Sequence, residues 1–155
     1  MSTPTHRDMF ADVFDFHRLG CPETTGSLPA VPAPHLVELR IKFIEEEAAE
    51  LSAALRAGDL PEVADGIGDL IYVLIGLAIT CGIDIRPVWG AIHQANLDKV
   101  NGRYGPPSRR EDGKTSKPPG WVAPDIFKVL LEQKPLEPTP RGDGGFGSTD
   151  RKENR

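Results

Sequence analysis

The stretch from Asp69 to Ile79 is the strongest constraint on the fold, because it is apolar on nearly every side when it is wound as an α-helix. A helix of this kind needs cover all round, so the sequence predicts a central helix over residues 60–81, ended by Gly82. Its few polar residues lie within about 80° of one another on the helical wheel. They are Glu62, Asp65, Asp69 and Tyr72, together with Gly76. The central helix therefore carries one narrow polar stripe.

The preceding helix, expected over residues 35–56, has acidic residues within its apolar stripe. At 100° per residue, Glu47 and Glu50 fall within about 60° of Leu36, among positions where leucine is expected. A bare ionised carboxylate in a protein interior is costly, so such groups are usually paired, protonated or bound to a metal. The connection to the next helix is short, because Gly58 is a candidate C-cap and Asp59 directly after it begins a capping box. The two helices should form an antiparallel hairpin with facing acidic stripes.

The other segments predict an all-α fold. A short helix over residues 5–19 places Phe10, Val13, Phe14 and His17 on one face, and a proline-rich connector follows over 20–34. A fourth helix begins at Asp84, residues 101–120 form a basic loop, and a last short helix opens at Pro124. We expect one domain over residues 1–133, arranged as a four-helix bundle, and a disordered tail over 134–155.

The composition excludes several classes of protein. The net charge of -5 argues against a general binder of nucleic-acid polymers or anionic membranes. No stretch is expected to approach a membrane span, and the acidic N-terminus does not resemble a signal peptide, so a cytoplasmic location is expected. Cys21 and Cys81 have no metal-binding or redox spacing, and we assign them no role. The partner should be a small molecule.

The acidic residues on the two helices have the spacing of a divalent-cation site. Mg²⁺ or Mn²⁺ takes oxygen ligands, commonly some from carboxylates and others from a substrate phosphate. Carboxylates at spacings of three and four lie on one helix face, and no Cys or His cluster favours zinc. The candidate ligands are Glu46, Glu47, Glu50, Asp65 and Asp69. Together with the basic loop they predict a metal-dependent site that cleaves a diphosphate linkage.

Several motifs, in this order, carry a family resemblance over about residues 10–127. They are Phe16-His17, Glu46-Glu47-Ala-Ala-Glu50, the pair Asp65 and Asp69, His93-Gln-Ala-Asn96-Leu-Asp-Lys99, and Asp112-Gly-Lys114 followed by Lys117, Pro119 and Trp121. This combination resembles the MazG-like all-α nucleoside triphosphate pyrophosphohydrolases, and in particular their dUTP-hydrolysing members. The resemblance implies hydrolysis of a nucleoside triphosphate to the monophosphate and pyrophosphate.

The resemblance also implies roles for individual residues. Glu46, Glu47, Glu50 and Asp69 match the metal-binding carboxylates, and either Glu46 or Glu47 would act on the attacking water. We favour Glu47 because it lies deeper in the stripe. The family usually has a glutamate three residues before the aspartate, where this chain has Gly66. Asp65 is the candidate to replace it.

Substrate contacts are assigned from the same resemblance. Asn96 and Lys99 match nucleotide and phosphate contacts, and Lys114 and Lys117 are candidates for the outer phosphates. Phe16 or Trp89 is a candidate to stack on the base, although the patterns at Tyr72 and Trp89 are more typical of core aromatics.

Three functions remain open. The first is a pyrophosphohydrolase that prefers dUTP or a related pyrimidine deoxynucleotide. The second keeps the fold and acts on phosphoribosyl-ATP or a guanosine alarmone. The third is a catalytically silent helical dimer that binds a nucleotide or a partner protein. The apolar helix and the resemblance both predict a homodimer, or a tetramer, with sites between helices of different subunits.

Overall fold

Five α-helices and one short 3₁₀-helix make up the protein, as seen in a computed structural model that describes residues 7–138. The α-helices are α1 (Met9–Gly20), α2 (Pro34–Ala57), α3 (Leu60–Thr80), α4 (Ile85–Leu97) and α5 (Ile126–Leu131), and the 3₁₀-helix is Pro22–Thr24. Within the described part of the chain the only β-type pairing is an isolated bridge between Arg109 and Thr115. The prediction of an all-α fold is confirmed.

Side-chain caps explain where the helices begin. The carboxylates of Asp8, Asp59, Asp84 and Asp125 each accept backbone N–H groups in the first turn of α1, α3, α4 and α5. The helix α2 ends at Gly58, which has a φ of 70° and a backbone N–H directed at the carbonyls of Ala54 and Leu55. The sequence predicted the caps at Gly58, Asp59 and Asp84, because capping depends on a few neighbouring residues.

The hairpin of α2 and α3 is the centre of the packing, and α1 lies against α3. The hydrophobic core is small and consists of Phe10, Val13 and Phe14 of α1 with Ile79 of α3. The predicted inner face of α1 is therefore confirmed, including the buried His17. By contrast, α4 makes its main helix contact with α5. These contacts do not form the predicted four-helix bundle, which is not confirmed and stays a prediction.

A buried polar cluster joins α1, α2 and α3 beside this core. The Arg40 side chain is 7% exposed, and its Nε donates to Thr80 Oγ1 over 2.9 Å while Nη2 lies 3.3 Å from His17 Nε2. A Cβ at Gly76 would stand 3.1 Å from both Arg40 Nη1 and His17 Nε2. Glycine at this position therefore lets the two side chains lie against α3.

The helix α3 is not covered all round, contrary to the prediction. Ile67, Ile71 and Leu74 are 47%, 38% and 45% exposed, because α1 and α2 cover only part of the helix surface. The expectation that no stretch approaches a membrane span is also wrong. Leu60–Thr80 is long and apolar enough to cross a membrane, judged by length and composition alone, and 22% of an 18-residue window within it is buried. Core helices of soluble proteins meet the same criteria. An exposed apolar surface of this kind is typical of an interaction site.

The segment after α5 is ordered as far as the described residues extend. The backbone N–H of Leu136 donates to Ser27 O over 2.9 Å, and its side chain packs on the core. The Gln133 side chain bonds both backbone groups of Asp84. The predicted disorder is therefore wrong for residues 134–138, which fold back on the connector. The rest of the predicted tail, residues 139–155, lies outside the described residues.

Candidate functional site

The acidic residues of α2 and α3 face one another along the hairpin. A Cβ at Gly66 would stand 3.2 Å from both Cα and Cβ of Leu51, so the two helices are in close contact at this pair. Because the helices are antiparallel, each step back along α2 is matched by a step forward along α3. Glu47 therefore lies opposite Asp69, and the two acidic stripes line one groove, which we call the acidic groove (Glu46, Glu47, Glu50, Asp65 and Asp69).

Glu47 lies at the electrostatic centre of the acidic groove. Its side chain is half-buried, whereas the other four acidic side chains are exposed. Desolvation raises the pKa of Glu47 above its ordinary value, and the charges of the other four carboxylates raise it further, with Asp69 contributing most of the four. Glu46 also forms a 3.6 Å ion pair with Lys42 on the outer surface. Glu47 is the group most strongly influenced by its neighbours.

The expectation that these carboxylates occupy buried core positions is wrong for the protomer. Only Arg40 of α2 is buried among the described residues, so the apolar stripe of α2 is itself largely open. The helical wheel places residues on one face correctly, but it does not say whether another element covers that face. Four of the five carboxylates are therefore solvated in one protomer, and only Glu47 is half-buried.

The acidic groove offers the donors that a hard divalent cation needs, although they are not assembled around a point. Within residues 7–138, no group of three or more His, Cys, Asp or Glu side chains is positioned to hold a metal ion. Five like charges repel one another, and this favours side-chain rotamers that point apart. The donor set, which is entirely carboxylate oxygen, fits Mg²⁺ or Mn²⁺ and not zinc.

The structure explains the glycine at position 66. Gly66 is buried against Leu51, and any side chain there would meet the backbone of α2. A side chain at this position would require α2 to shift by a few tenths of an ångström. Asp65, the neighbouring residue, is exposed and contributes to the charge that raises the pKa of Glu47. Thus Asp65 and not residue 66 adds the carboxylate of this turn to the acidic groove.

A second polar cluster lies at the end of α4, where the basic loop folds back on it. The ammonium of Lys99 donates to Asn96 Oδ1 over 2.7 Å and lies 5.0 Å from the centre of the Trp121 ring. Lys117 contacts the same ring at 4.9 Å. We call Asn96, Lys99, Lys117 and Trp121 the basic cluster. The structure thus brings together three of the four polar residues predicted to bind substrate.

Lys114 belongs to a different part of the loop. A narrow turn is closed by a hydrogen bond of 2.8 Å from Arg110 N to Lys114 O and one of 2.9 Å from Ser116 N to Ser108 O. The backbone N–H of Lys114 donates to Asp112 Oδ1 at the tip of this turn. No described contact joins the Lys114 side chain to Trp121. Its role as a phosphate ligand stays a prediction.

The aromatic candidates lie on two different surfaces. Phe16 is 55% exposed and meets Tyr72 edge-on at 5.7 Å, one turn of α3 beyond Asp69. Trp89 is 66% exposed and stacks on His93 of α4 at 6.3 Å. The interpretation of Tyr72 and Trp89 as core aromatics is wrong, because neither is covered in the protomer. Phe16 is the aromatic candidate that adjoins the acidic groove.

Within the described residues, no hydrogen bond or ion pair joins the acidic groove to the basic cluster. The groove is built on the α2–α3 hairpin, whereas the cluster is built on α4, which packs chiefly on α5. One protomer therefore presents two separate clusters of opposite charge, which we call half-sites when we consider them as parts of one site.

Comparisons with known proteins assign a family to the part of the chain that contains the acidic groove. A family model described as phosphoribosyl-ATP pyrophosphohydrolase matches residues 15–96, which hold all five acidic residues together with Phe16, Trp89 and Asn96. An uncharacterized protein of Acanthamoeba polyphaga mimivirus is 38% identical over 52 residues, which are 34% of this chain and 21% of the viral protein. The matched part thus spans about a fifth of that relative. Lys99, Lys114, Lys117 and Trp121 lie beyond the region that the family model matches.

Proposed function

Because the chain belongs to the phosphoribosyl-ATP pyrophosphohydrolase family, we propose that it is a metal-dependent nucleotide pyrophosphohydrolase. The observation that carries this proposal is the acidic groove, in which two helices in close contact at Leu51 and Gly66 place five carboxylates along one face within the matched region. An acidic groove of this kind attracts divalent cations, and phosphates bind to it only when such cations are present. The proposed reaction uses water to cleave a nucleoside triphosphate into the monophosphate and pyrophosphate.

Glu46, Glu47, Glu50, Asp65 and Asp69 are the proposed ligands of Mg²⁺ or Mn²⁺. The bound cation would neutralise the phosphates and orient the attacking water. The residues are supplied by two helices held in register by the Leu51–Gly66 contact, so the donors are on rigid elements. Five carboxylates exceed the needs of one cation that also binds phosphate oxygens. The surplus would let Glu47 act on water while other carboxylates of the set hold the cation.

Glu47 is the proposed general base. It lies at the centre of the acidic groove, where the other four carboxylates are close enough to act on its charge. It is also half-buried, so fewer waters compete for its oxygens. Glu46 is less suitable, because it is exposed and paired with Lys42. In the proposed step, Glu47 accepts a proton from water as the water oxygen bonds to phosphorus and pyrophosphate departs.

The proposed substrate is dUTP or a related pyrimidine deoxynucleotide, and phosphoribosyl-ATP is the second candidate. The resemblance of the loop at residues 112–121 to that of dUTP-hydrolysing proteins supports the first. The name of the matching family supports the second. Asn96, Lys99 and Lys117, with Lys114 as a further candidate, would contact the phosphates, and Phe16 would stack on the base beside Tyr72.

We further propose that the site is completed by a second copy of the chain. The exposed apolar face of α3 supports a homodimer, and the separation of the acidic groove from the basic cluster supports a site shared between subunits. A dimer would also bring four helices together in the predicted bundle. A cytoplasmic setting, in which nucleotide substrates are found, is part of the same proposal.

The test is pyrophosphate release from a panel of nucleotides with Mg²⁺ or Mn²⁺. The panel contains canonical and modified (d)NTPs, phosphoribosyl-ATP and a guanosine alarmone. We expect Glu47→Gln to lower turnover by at least about 100-fold, because general-base catalysis contributes that much or more. Glu45→Gln is the matched control, since Glu45 is an exposed neighbour whose charge is not among those acting on Glu47. Full turnover by Glu47→Gln would exclude the proposed base.

The catalytically silent alternative makes the opposite prediction. If the folded dimer binds nucleotide with Mg²⁺ but releases pyrophosphate from no member of the panel, the silent module is favoured. Introducing Gly66→Glu would not be a clean way to restore activity, because the new side chain would press on the Leu51 backbone.

A further inference from the structure

The Trp121 side chain is fixed to the end of α4 by a hydrogen bond to a backbone carbonyl that the helix itself does not use. The backbone N–H of Lys99 donates to Asn96 O over 3.2 Å, in a tighter turn than the α-helix. This leaves the carbonyl of Ala95 available, and the Trp121 indole Nε1–H donates to it over 2.7 Å. The half-buried ring thus has a fixed position beside Asn96 and Lys99.

Two ammonium groups lie on this one ring. The Nζ atoms of Lys99 and Lys117 are 5.0 and 4.9 Å from its centre, so they are at most about 10 Å apart. The two lysines are 18 positions apart in the chain, one at the end of α4 and one in the basic loop. The ring is the contact that they share.

No carboxylate among residues 7–138 neutralises either lysine. The one side-chain hydrogen bond that the pair makes there is from the Lys99 ammonium to the neutral amide of Asn96. Two like charges within about 10 Å of each other and without a counter-ion repel each other, and the attraction of the ring offsets only part of this. A pyrophosphate or triphosphate group, with negative oxygens several ångströms apart, would neutralise both.

We propose that Trp121 is a positioning residue that holds Lys99 and Lys117 as a pair for the pyrophosphate portion of the nucleotide. This inference rests on the proposed function and adds a residue that neither the family match nor the sequence motifs assigned to the site. The hydrogen bond to Ala95 O fixes the ring, and the ring fixes the spacing of the two charges. Trp121 itself does not contact the reacting atoms in this arrangement.

The test uses the fluorescence of Trp121. The chain has two tryptophans, so Trp89→Phe leaves Trp121 as the single reporter. Pyrophosphate is titrated into this variant with and without Mg²⁺, and we expect a saturable change in Trp121 emission that weakens at high salt. Adding Lys117→Gln or Lys99→Gln should weaken binding at least tenfold. Lys128→Gln, which removes an exposed lysine on α5, is the matched control.

Two substitutions separate the functions of the ring from those of its N–H group. Trp121→Leu removes both, whereas Trp121→Phe keeps an aromatic face and loses only the bond to Ala95 O. We expect pyrophosphate affinity, measured by calorimetry, to fall at least tenfold in the leucine variant and to recover in part in the phenylalanine variant. In turnover assays the same change should appear mainly in KM, with kcat less affected.

Three results would contradict the inference, and a fourth would separate it from the proposed reaction. Unchanged pyrophosphate affinity in Trp121→Leu, unchanged Trp121 emission on binding, or no binding of pyrophosphate at all would each overturn the inference. If Trp121 reports pyrophosphate binding but no nucleotide is hydrolysed, the proposed reaction fails and the positioning role stands.

Discussion

The imidazole of His17 is held neutral by the groups that surround it. Arg40 donates to Nε2 over 3.3 Å, which leaves the ring proton on Nδ1, 3.3 Å from Thr24 Oγ1. Burial, and after it the charge of Arg40, lower the pKa of His17 to about 4, while Glu23 opposes the shift. Cys21 and Cys81 also lie within electrostatic range of Arg40. The native state therefore excludes a proton that the unfolded chain accepts at an ordinary pKa of about 6.5.

This difference predicts a pH-dependent stability. The contribution of His17 is fully present above about pH 6.5 and is lost as the pH falls toward 4, by up to about 3 kcal/mol. Urea unfolding at a fixed protein concentration across this range would measure it. His17→Gln should flatten the pH dependence, and His35→Gln, which changes an exposed histidine, should not. An equal slope in the His17 variant would contradict the account.

At the scale of single residues, the sequence predicted the positions of side chains that depend only on residues close to them in the chain. His17 was placed on the inner face of α1 by its spacing from Phe10 and Phe14, and the structure buries it there. Trp121 was not predicted as part of the site, because its contacts with Ala95 and Lys99 cross more than 20 positions and depend on how the loop folds. Its presence in the motif that follows Asp112 was the only available signal.

Among the secondary-structure elements, the hairpin of α2 and α3 depends on a close approach at one glycine. A Cβ at Gly66 would be 3.2 Å from the Leu51 backbone, whereas at Gly68 it would meet nothing within 4 Å. Alanine favours a helix over glycine by about 1 kcal/mol, so Gly68→Ala should stabilise the protein by about that amount. Gly66→Ala has the same propensity gain but crowds α2, and should be less stable than Gly68→Ala by about 2 kcal/mol.

Thermal and urea unfolding of the two alanine variants would test this. Equal stability of the pair would mean that the helices can separate at no cost, and the register of the acidic groove would then lose its explanation. Loss of turnover in Gly66→Ala with Gly68→Ala unaffected would tie that register to activity.

The boundaries of the elements were predictable to within a few residues, since Gly58, Asp59 and Asp84 cap helices by contacts with their own neighbours. The sequence did not predict what packs around each element. The apolar pattern of α3 predicts that its faces are covered, yet no element within residues 7–138 covers Ile67, Ile71 and Leu74. Leu136 was assigned to a disordered tail because its packing partners, such as Phe10, are far away in the sequence.

For the whole molecule, the apolar face of α3 predicts a homodimer. Light scattering should give about twice the 16.9 kDa mass of one chain. A double substitution of Ile71→Glu with Leu74→Glu places two charges on the exposed apolar face and should give monomers without turnover. Val31→Glu is the control, because Val31 is 86% exposed on the connector and lies outside that face. A monomeric mass for the unmodified protein would contradict the assembly.

Mixing two impaired variants, assayed at a nucleotide concentration far below the KM of each, tests whether each site draws on both subunits. Glu47→Gln damages the acidic groove and Lys117→Gln damages the basic cluster. If the two half-sites meet across the dimer, a mixed dimer has one site with both defects and one with neither. Random exchange at equal amounts should then restore about a quarter of the unmodified activity, because half of the dimers are mixed and each has one intact site. If both half-sites come from one chain, every site keeps a defect and mixing restores nothing.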